Sequence, residues 1–405
     1  MSSQVLLTPT IISKESLVIL ENNLVAANRV NRKFENQFVK IGSSLTIRKP
    51  NRFTVTTGAG LVIQDIAEPS VNISIDTQLQ TAFQFTSQDL TLTVEEFSER
   101  YLKPAMASMA NRLDFLVLQN YKSVSNWVGT QNVNPAAFSS SVQLVGQRMD
   151  DNAAPQDNRT LILNPAGYWA VANGLTPSFV MPTAKDALVK GYLATIGNYE
   201  VYMDQNTPKL ATGVHTSTGI VSSNGQIGAS ISTANWGVGS GTSDSFTVGE
   251  VVTFANVFAI NPQNRQSTGV LKNFVITAAV TVTSDGATTA TLQISPSIVT
   301  SGPYQNVSAG PSDGNAVTVV SGITAASSSF TQNLAFTRDA FGLVTVPMEI
   351  PQGVDFAARE TYRNISMRVI RAYDVNNDVF PTRIDILMGT TTYYDELACR
   401  LGGGL

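Results

Sequence analysis

The sequence predicts an α+β framework interrupted by an all-β module, and three observations carry that expectation. Residues 213–330 are rich in Thr, Ser, Gly and Val, and their only ionised side chains are Asp244, Glu250, Arg265, Lys272, Asp285 and Asp313. Runs within them, such as Val251-Val252-Thr253-Phe254 and Phe274-Val275-Ile276-Thr277, suit strands, because β-branched and aromatic side chains pack well on a pleated surface. On either side lies a more conventional, charged chain with one long helical pattern at 93–126 and alternating patterns around it. A β module between two framework halves fits insertion at a surface loop, where added chain is best tolerated.

The first element is helical: over 13–30, Leu17, Leu20, Leu24 and Ala27 recur at helical spacing, with Ser13 or Ser16 as the cap. Nothing nearby supplies a hydrophobic partner, so the segment reads as an arm. The period then changes. Residues 38–48 read as a strand, Phe53-Thr54-Val55-Thr56 as another, and Lys49-Pro50-Asn51-Arg52 as the turn between them; Ile73, Ile75, Phe83 and Phe85 continue the alternation. The expectation is a long β-hairpin with Arg48, Lys49 and Arg52 crowding its tip. A lone hairpin is marginal in water and needs another surface to lie on, so these three residues are candidates for intersubunit ion pairs.

Over 93–126, Thr93 and Glu96 form a capping box, and Val94, Phe97, Tyr101, Ala105, Met109, Leu113, Leu116 and Val117 mark an apolar stripe. Pro104 should kink this helix or loosen one of its turns. Mixed α/β comes next: a helix at 138–151, a buried strand Arg159–Leu163, a helix opening at Asn164-Pro165, and a strand Tyr199–Met203. Past the module, strands are expected at 335–340, 342–346, 365–373 and 382–389.

Composition limits the chemistry. A net charge of −4 with 14% charged residues offers no basic excess for sequence-specific nucleic-acid binding. Cys399 is the only cysteine, so one chain can form neither a disulfide nor a thiolate cluster. No secretory signal pattern opens the chain and no apolar run is long enough to span a bilayer, so synthesis in the cytosol without membrane insertion is expected.

His215, the only histidine, reads as a solvated loop residue, and Cys399 as a buried thiol. Asp374-Val375-Asn376-Asn377-Asp378 opens like a calcium loop. Val379 then stands where the sharp turn needs Gly, and Asp385 where a bidentate Glu is required, so turn chemistry is the better reading. Gly237–Gly241 lacks the strand–helix context of a phosphate cradle. Arg100, Lys103, Arg112 and Lys122, interleaved with Glu99 and Asp114, read as a solvated face. No catalytic constellation, metal site or cofactor site is expected.

Taken in order, these elements resemble a tailed-phage major capsid protein. Within that HK97-like fold the chain is most similar to the P22-like coat proteins, which carry an inserted β-barrel domain. The residues behind the resemblance are Phe246–Val257 at the opening of the insert, Phe274–Thr277 and Ala290–Pro296 in its later strands, Tyr304–Val307 near its end, and Asn333–Ala340 at the return to the framework. The resemblance implies an N-terminal arm at 1–40 and an extended loop with peripheral-domain strands at 41–90. It implies a spine helix at 91–134 and the first part of an axial domain at 135–212, completed by 348–389. The barrel would occupy 213–332, and 333–405 would return to peripheral and axial strands.

The implied function is a shell of pentamers and hexamers of this chain, built in the host cytoplasm and becoming the virion capsid. It would enclose double-stranded DNA without reading its sequence. A separate scaffolding protein and a portal protein are implied partners, and a decoration protein is a further candidate. Glu15 and Glu21 on the arm are candidates to meet a basic scaffolding segment. Two rivals are weighed against this reading. One is a carbohydrate- or host-binding module of a tail or adhesin protein, with Trp236, Tyr304 and Trp169 stacking sugars. The other is an enzyme completed by a metal or by another chain.

Overall fold

The computed structural model describes residues 9–33, 44–55, 57–60, 63–64, 66, 68–86, 98–130, 135–174, 193, 195–237, 243–283, 289–320, 328–354 and 356–403. The chain divides into two units: Met1–Lys49, Ser70–Val117 and Phe341–Thr391 form the first, and Pro50–Pro69, Leu118–Ala340 and Thr392–Leu405 the second.

In the first unit, a sheet runs in the order Phe341–Val346, Val379–Thr392, Ile365–Arg371, Phe356–Tyr362, and Thr77–Thr86 pairs with Val379–Thr392. Residues 348–389 therefore belong to this sheet. Their assignment to the axial domain does not match the pairing: Val379–Thr392 is long enough to bond Thr77–Thr86 along ten positions, Val379↔Thr86 to Met388↔Thr77. A hairpin stem forms, with Ser44–Arg48 antiparallel to Ser70–Ser74 and Ile47 opposite Val71, but the expected partner strand at Phe53 does not. Phe53–Val55 is irregular and Lys49–Arg52 is not the turn of the hairpin, because the first strand finds its partner at Ser70–Ser74.

The N-terminal helix spans Pro9–Asn23. It begins at a proline, whose missing N–H costs nothing in a first turn. Ser16 lies inside the helix and donates to the Ile12 carbonyl at 2.6 Å, so it is no cap. Leu17, Leu20, Leu24 and Ala27 are all buried, because the helix lies against Phe356–Tyr362 and Ile365–Arg371. Here the arm reading gives way to a packed helix, whose partner comes from more than 300 residues later in the chain.

The long helix is described from Ser98, so the proposed capping box at Thr93 and Glu96 lies outside the described residues. Ser98–Leu102 is wound as a π turn and Lys103–Leu118 as an α-helix, with Pro104 at the join. The buried stripe is Leu102, Met106, Met109, Ala110, Leu113 and Val117: Met109, Leu113 and Val117 are buried as expected, while Tyr101, in the π turn, is exposed and Ala105 and Leu116 are half-buried. Asp114 does not face solvent. Its carboxylate accepts the N–H groups of Val25 at 2.7 Å and Ala27 at 2.8 Å, fastening the chain that leaves the N-terminal helix. Arg100, Lys103, Arg112 and Lys122 are exposed as expected. The stretch Asp374–Asp378 is a turn: Asp374 accepts from the Asn376 N–H and the Asn377 side chain. Asp385 is buried between Arg368 at 2.7 Å and Arg383 at 2.6 Å.

In the second unit, a six-stranded sheet takes the order Trp127–Gly129, Ala398–Gly402, Asn333–Thr337, Arg159–Leu163, Tyr199–Met203, Thr195–Ile196. The helices Pro135–Asp151 and Pro165–Gly174 contribute to its core through Val142, Val145, Met149, Tyr168 and Val171. Asn164 caps the second helix through its side-chain oxygen, 2.9 Å from the Gly167 nitrogen.

The same unit holds a closed six-stranded barrel formed by Gly228–Ala234, Ala290–Ile298, Ser267–Ile276, Val251–Ile260, Ala316–Val319 and Gly219–Val221. Its interior is filled by Trp236, Phe246, Phe254, Phe274, Ile231, Leu292 and their neighbours. Gly219 is required there: a Cβ would lie 2.0 Å from the Trp236 ring.

Candidate functional site

Two places in the second unit concentrate polar side chains: the root where the chain enters and leaves the barrel, and the seat of the hairpin tip. At the root, the entering strand Lys209–Ala211 and the leaving strand Ser329–Thr331 pair antiparallel, with Ala211 opposite Ser329 and Lys209 opposite Thr331. Thr212 continues the zipper by donating to the Ser328 carbonyl at 2.8 Å.

Just beyond the zipper stands Glu250, fully buried. Its Oε1 accepts the Gly213 N–H at 2.8 Å and lies 2.9 Å from His215 Nε2, while Oε2 accepts the Thr247 N–H at 2.7 Å. His215 is therefore not a solvated loop residue. It is 5% exposed and its ring packs 5.0 Å from Phe246. A one-residue reading missed this because the partner acid lies 35 positions away.

Asp244, also buried, accepts the Gly237 N–H at 2.7 Å, the Thr216 N–H, and the Thr216 and Ser217 hydroxyls. Burial pushes its carboxyl up, but the Ser217, Thr216 and Gly237 donors together outweigh it and hold the pKa below the usual carboxylate range.

Arg400 ties the six-stranded sheet to this root. Its guanidinium sits 5.6 Å from the Tyr121 and Trp127 rings, and Nη1 donates to the Gly249 carbonyl at 2.7 Å. Burial pushes its pKa down to about 9, against the opposing pull of Tyr121 and Cys399, so the group stays charged at neutral pH. Cys399 is buried, as expected, and burial pushes its thiol up to about 12, which leaves it protonated and inert. Lys272 is buried on the barrel wall. Desolvation lowers its pKa, Glu396 and Asp395 oppose that shift, and the like charges of Arg148 and Arg52 add to it.

Each of the sequence-predicted contact residues has its own surroundings. Arg48 ends the first stem strand opposite Ser70, and Lys49 follows it half-buried. Arg52 reaches Glu396, with Nη2 to Oε2 at 2.5 Å, and Asn51 accepts the Tyr304 hydroxyl at 2.6 Å. On the N-terminal helix, Glu15 is half-buried and Glu21 is buried, 3.4 Å from Arg32 and 3.6 Å from Arg363. Glu21 thus fastens its own unit. Of the three residues proposed to stack sugars, Trp236 is 1% exposed and fills the barrel, Tyr304 is engaged by the hairpin tip, and Trp169 alone is exposed.

Sequence inspection did not single out Arg400 or Lys272 as structural centres. The available signal was their position, a lone cation in an apolar β run. No group of three or more His, Cys, Asp or Glu is arranged to hold a metal among the described residues.

The family model described as "P22 coat protein - gene protein 5" matches residues 1–403. No curated protein sequence matches the chain. Among solved structures, that of Mycobacterium phage Che8 is similar over 93% of this chain and 90% of its own, with a TM-score of 0.50 at 10% identity. The capsid structure of cyanophage P-SCSP1u covers 94% and 90% at 10% identity with a TM-score of 0.45. The mature capsid of bacteriophage PhiM1 covers 89% and 82% at 8% identity with a TM-score of 0.44. At these identities the likeness to Che8 concerns the fold alone.

Proposed function

The chain belongs to the P22 coat protein family, and from that premise we propose how its two units serve a phage head. It is a major capsid protein of HK97-like fold with an inserted barrel, a virion component that assembles with copies of itself into the head shell. The match across residues 1–403 carries this conclusion.

The finer reading is that one chain fills both pentamers and hexamers, closing an icosahedral shell around double-stranded DNA. Assembly takes place in the host cytoplasm on a separate scaffolding protein, with a portal protein at one vertex and a decoration protein as a further outer partner. The chain's part is geometric and not catalytic. Many contacts of about 1 kcal/mol or less add up around a closed shell. The low net charge of −4 supports enclosure of DNA without sequence-specific binding.

The extended loop is the hairpin of Ser44–Arg48 and Ser70–Ser74, and Arg48, Lys49 and Arg52 are its proposed intersubunit contacts. Its exposed apolar tip supports that role. For scaffolding, Glu15 is the better candidate of the two acids, because Glu21 already faces Arg32 and Arg363.

The test is negative-stain microscopy of the purified chain, alone and with a candidate scaffolding protein. Closed shells or capsomer rings are expected. A chain that stays monomeric with every scaffolding candidate from the same phage overturns the reading.

A further inference from the structure

The hairpin tip has a built seat on the unit that carries the barrel. Residues Pro50–Pro69 cluster with that unit, while both stem strands belong to the other. Asn51 Oδ1 accepts the Tyr304 hydroxyl at 2.6 Å, the Arg52 N–H donates to the Tyr304 oxygen at 3.3 Å, and Arg52 Nη2 donates to Glu396 Oε2 at 2.5 Å. The Arg52 guanidinium also lies 6.0 Å from the Tyr304 ring centroid.

Both sides of the seat are braced from behind. Arg265 donates to the Gly302 carbonyl at 2.7 Å and the Pro303 carbonyl at 2.8 Å, fixing the turn that presents Tyr304. Glu396 stands on the short turn Asp395–Leu397, which Asn126 ties down through the Ala398 carbonyl at 2.9 Å.

Three observations mark the seated tip as an exchangeable occupant. Asn51 Nδ2 is buried there without a partner, so the fit is incomplete. Phe53, Val55, Ile63 and Ile66 remain between 63% and 96% exposed, so the contact holds the tip by its polar side and leaves its apolar side open. Glu396 also answers two cations, Arg52 and the buried Lys272, which repel one another.

We propose that Tyr304 and Glu396 form a receptor for the hairpin tip, filled by the chain's own tip before assembly and by the tip of a second copy in the shell. The exchange preserves the polar contacts at Tyr304 and Glu396 and adds cover for the four apolar side chains. It rests on the coat-protein reading for its second half only, since the first half concerns the free chain.

Cross-linking the full-length chain with a short bis-maleimide tests both halves, with the buried Cys399 left in place. The free Asn51→Cys/Tyr304→Cys chain should link within itself. Shells grown from equal amounts of Asn51→Cys chains and Tyr304→Cys chains should yield linked dimers, a product that only contact between copies can give. Glu396→Arg should lower both yields by up to about fivefold, as loss of a partly exposed ion pair does, and adding Arg52→Glu should restore them. Rescue by the second reversal excludes misfolding as the cause of the loss.

A free chain that does not link overturns the in-chain seat, and mixed shells without dimers overturn the exchange. The coat reading fails separately, when the unmodified chain makes no shells under the microscope.

Discussion

The barrel root and the hairpin tip lie in one unit, yet their polar groups are organised in opposite ways. At the root, Glu250 and Asp244 are fully buried, and each accepts backbone N–H groups from segments that the barrel brings together. At the tip, the Arg52–Glu396 pair is about one-third exposed, at 36% and 32%, and large apolar side chains stand in solvent. An exposed pair of that kind is worth about 0–1 kcal/mol, whereas covering one side chain the size of Phe53 or Ile63 contributes about 1.5–3 kcal/mol. The root is finished within one chain; the tip leaves its apolar side uncovered.

That contrast breaks most readily at Glu250. Glu250→Ala strands the Gly213 and Thr247 N–H groups and His215 in a buried site, with an expected loss of about 3 kcal/mol or more in urea unfolding. A loss below about 1 kcal/mol would mean that the root is no more finished than the tip.

Asp244 sharpens the same point through pH. Its folded pKa is depressed, so its contribution is present above the ordinary carboxylate pKa of about 3.9 and is lost as pH falls through that value and below. Denaturation midpoints of the intact chain should therefore fall between about pH 5 and pH 3, and Asp244→Asn should flatten part of that fall. An unchanged slope would remove Asp244 from the root's framework.

Arg52→Glu is expected to cost the free chain no more than about 1 kcal/mol by the same unfolding measurement, while lowering shell yield. The smallest effect belongs to Phe53→Ser with Val55→Ser. Free-chain stability should move by about 0.5 kcal/mol or less, because both side chains are already exposed, yet shells should form in lower yield or dissociate at lower urea. Full shell yield and strength from that pair would place the tip's partner elsewhere.

Local pattern carried much of the fold. Arg159–Leu163 and Tyr199–Met203 are strands with the bounds their composition suggested, and the charge-poor stretch is a closed barrel. Local pattern failed where the deciding partner is distant. The apolar face of the N-terminal helix meets strands that begin at Phe356, and Asp114 is held by Val25 and Ala27 across 89 and 87 positions. The stripe on the long helix held at Met109, Leu113 and Val117 and missed near the π turn before Pro104, where Leu102 and Met106 are buried in place of Tyr101 and Ala105. Of the site, the sequence showed a hairpin stem beginning before Arg48, but placed its return strand at Phe53 instead of Ser70–Ser74. The seat was not legible, since Tyr304 and Glu396 lie 253 and 344 positions from the groups they meet.

The zipper at the barrel root also bears on how such a chain could have arisen. Ala211 and Ser329 are direct partners across an antiparallel pair, which puts their Cα atoms only about 5 Å apart. A two-residue turn could join them, and the six-stranded sheet would keep all its strands. The ends of the module meet at a gap that a hairpin already closes, so the framework feels almost nothing of the length of chain between them. A lineage can gain, lose or exchange the barrel at that seam as a cassette; what it must then re-evolve is Gly249's bond to Arg400 and the seat at Tyr304.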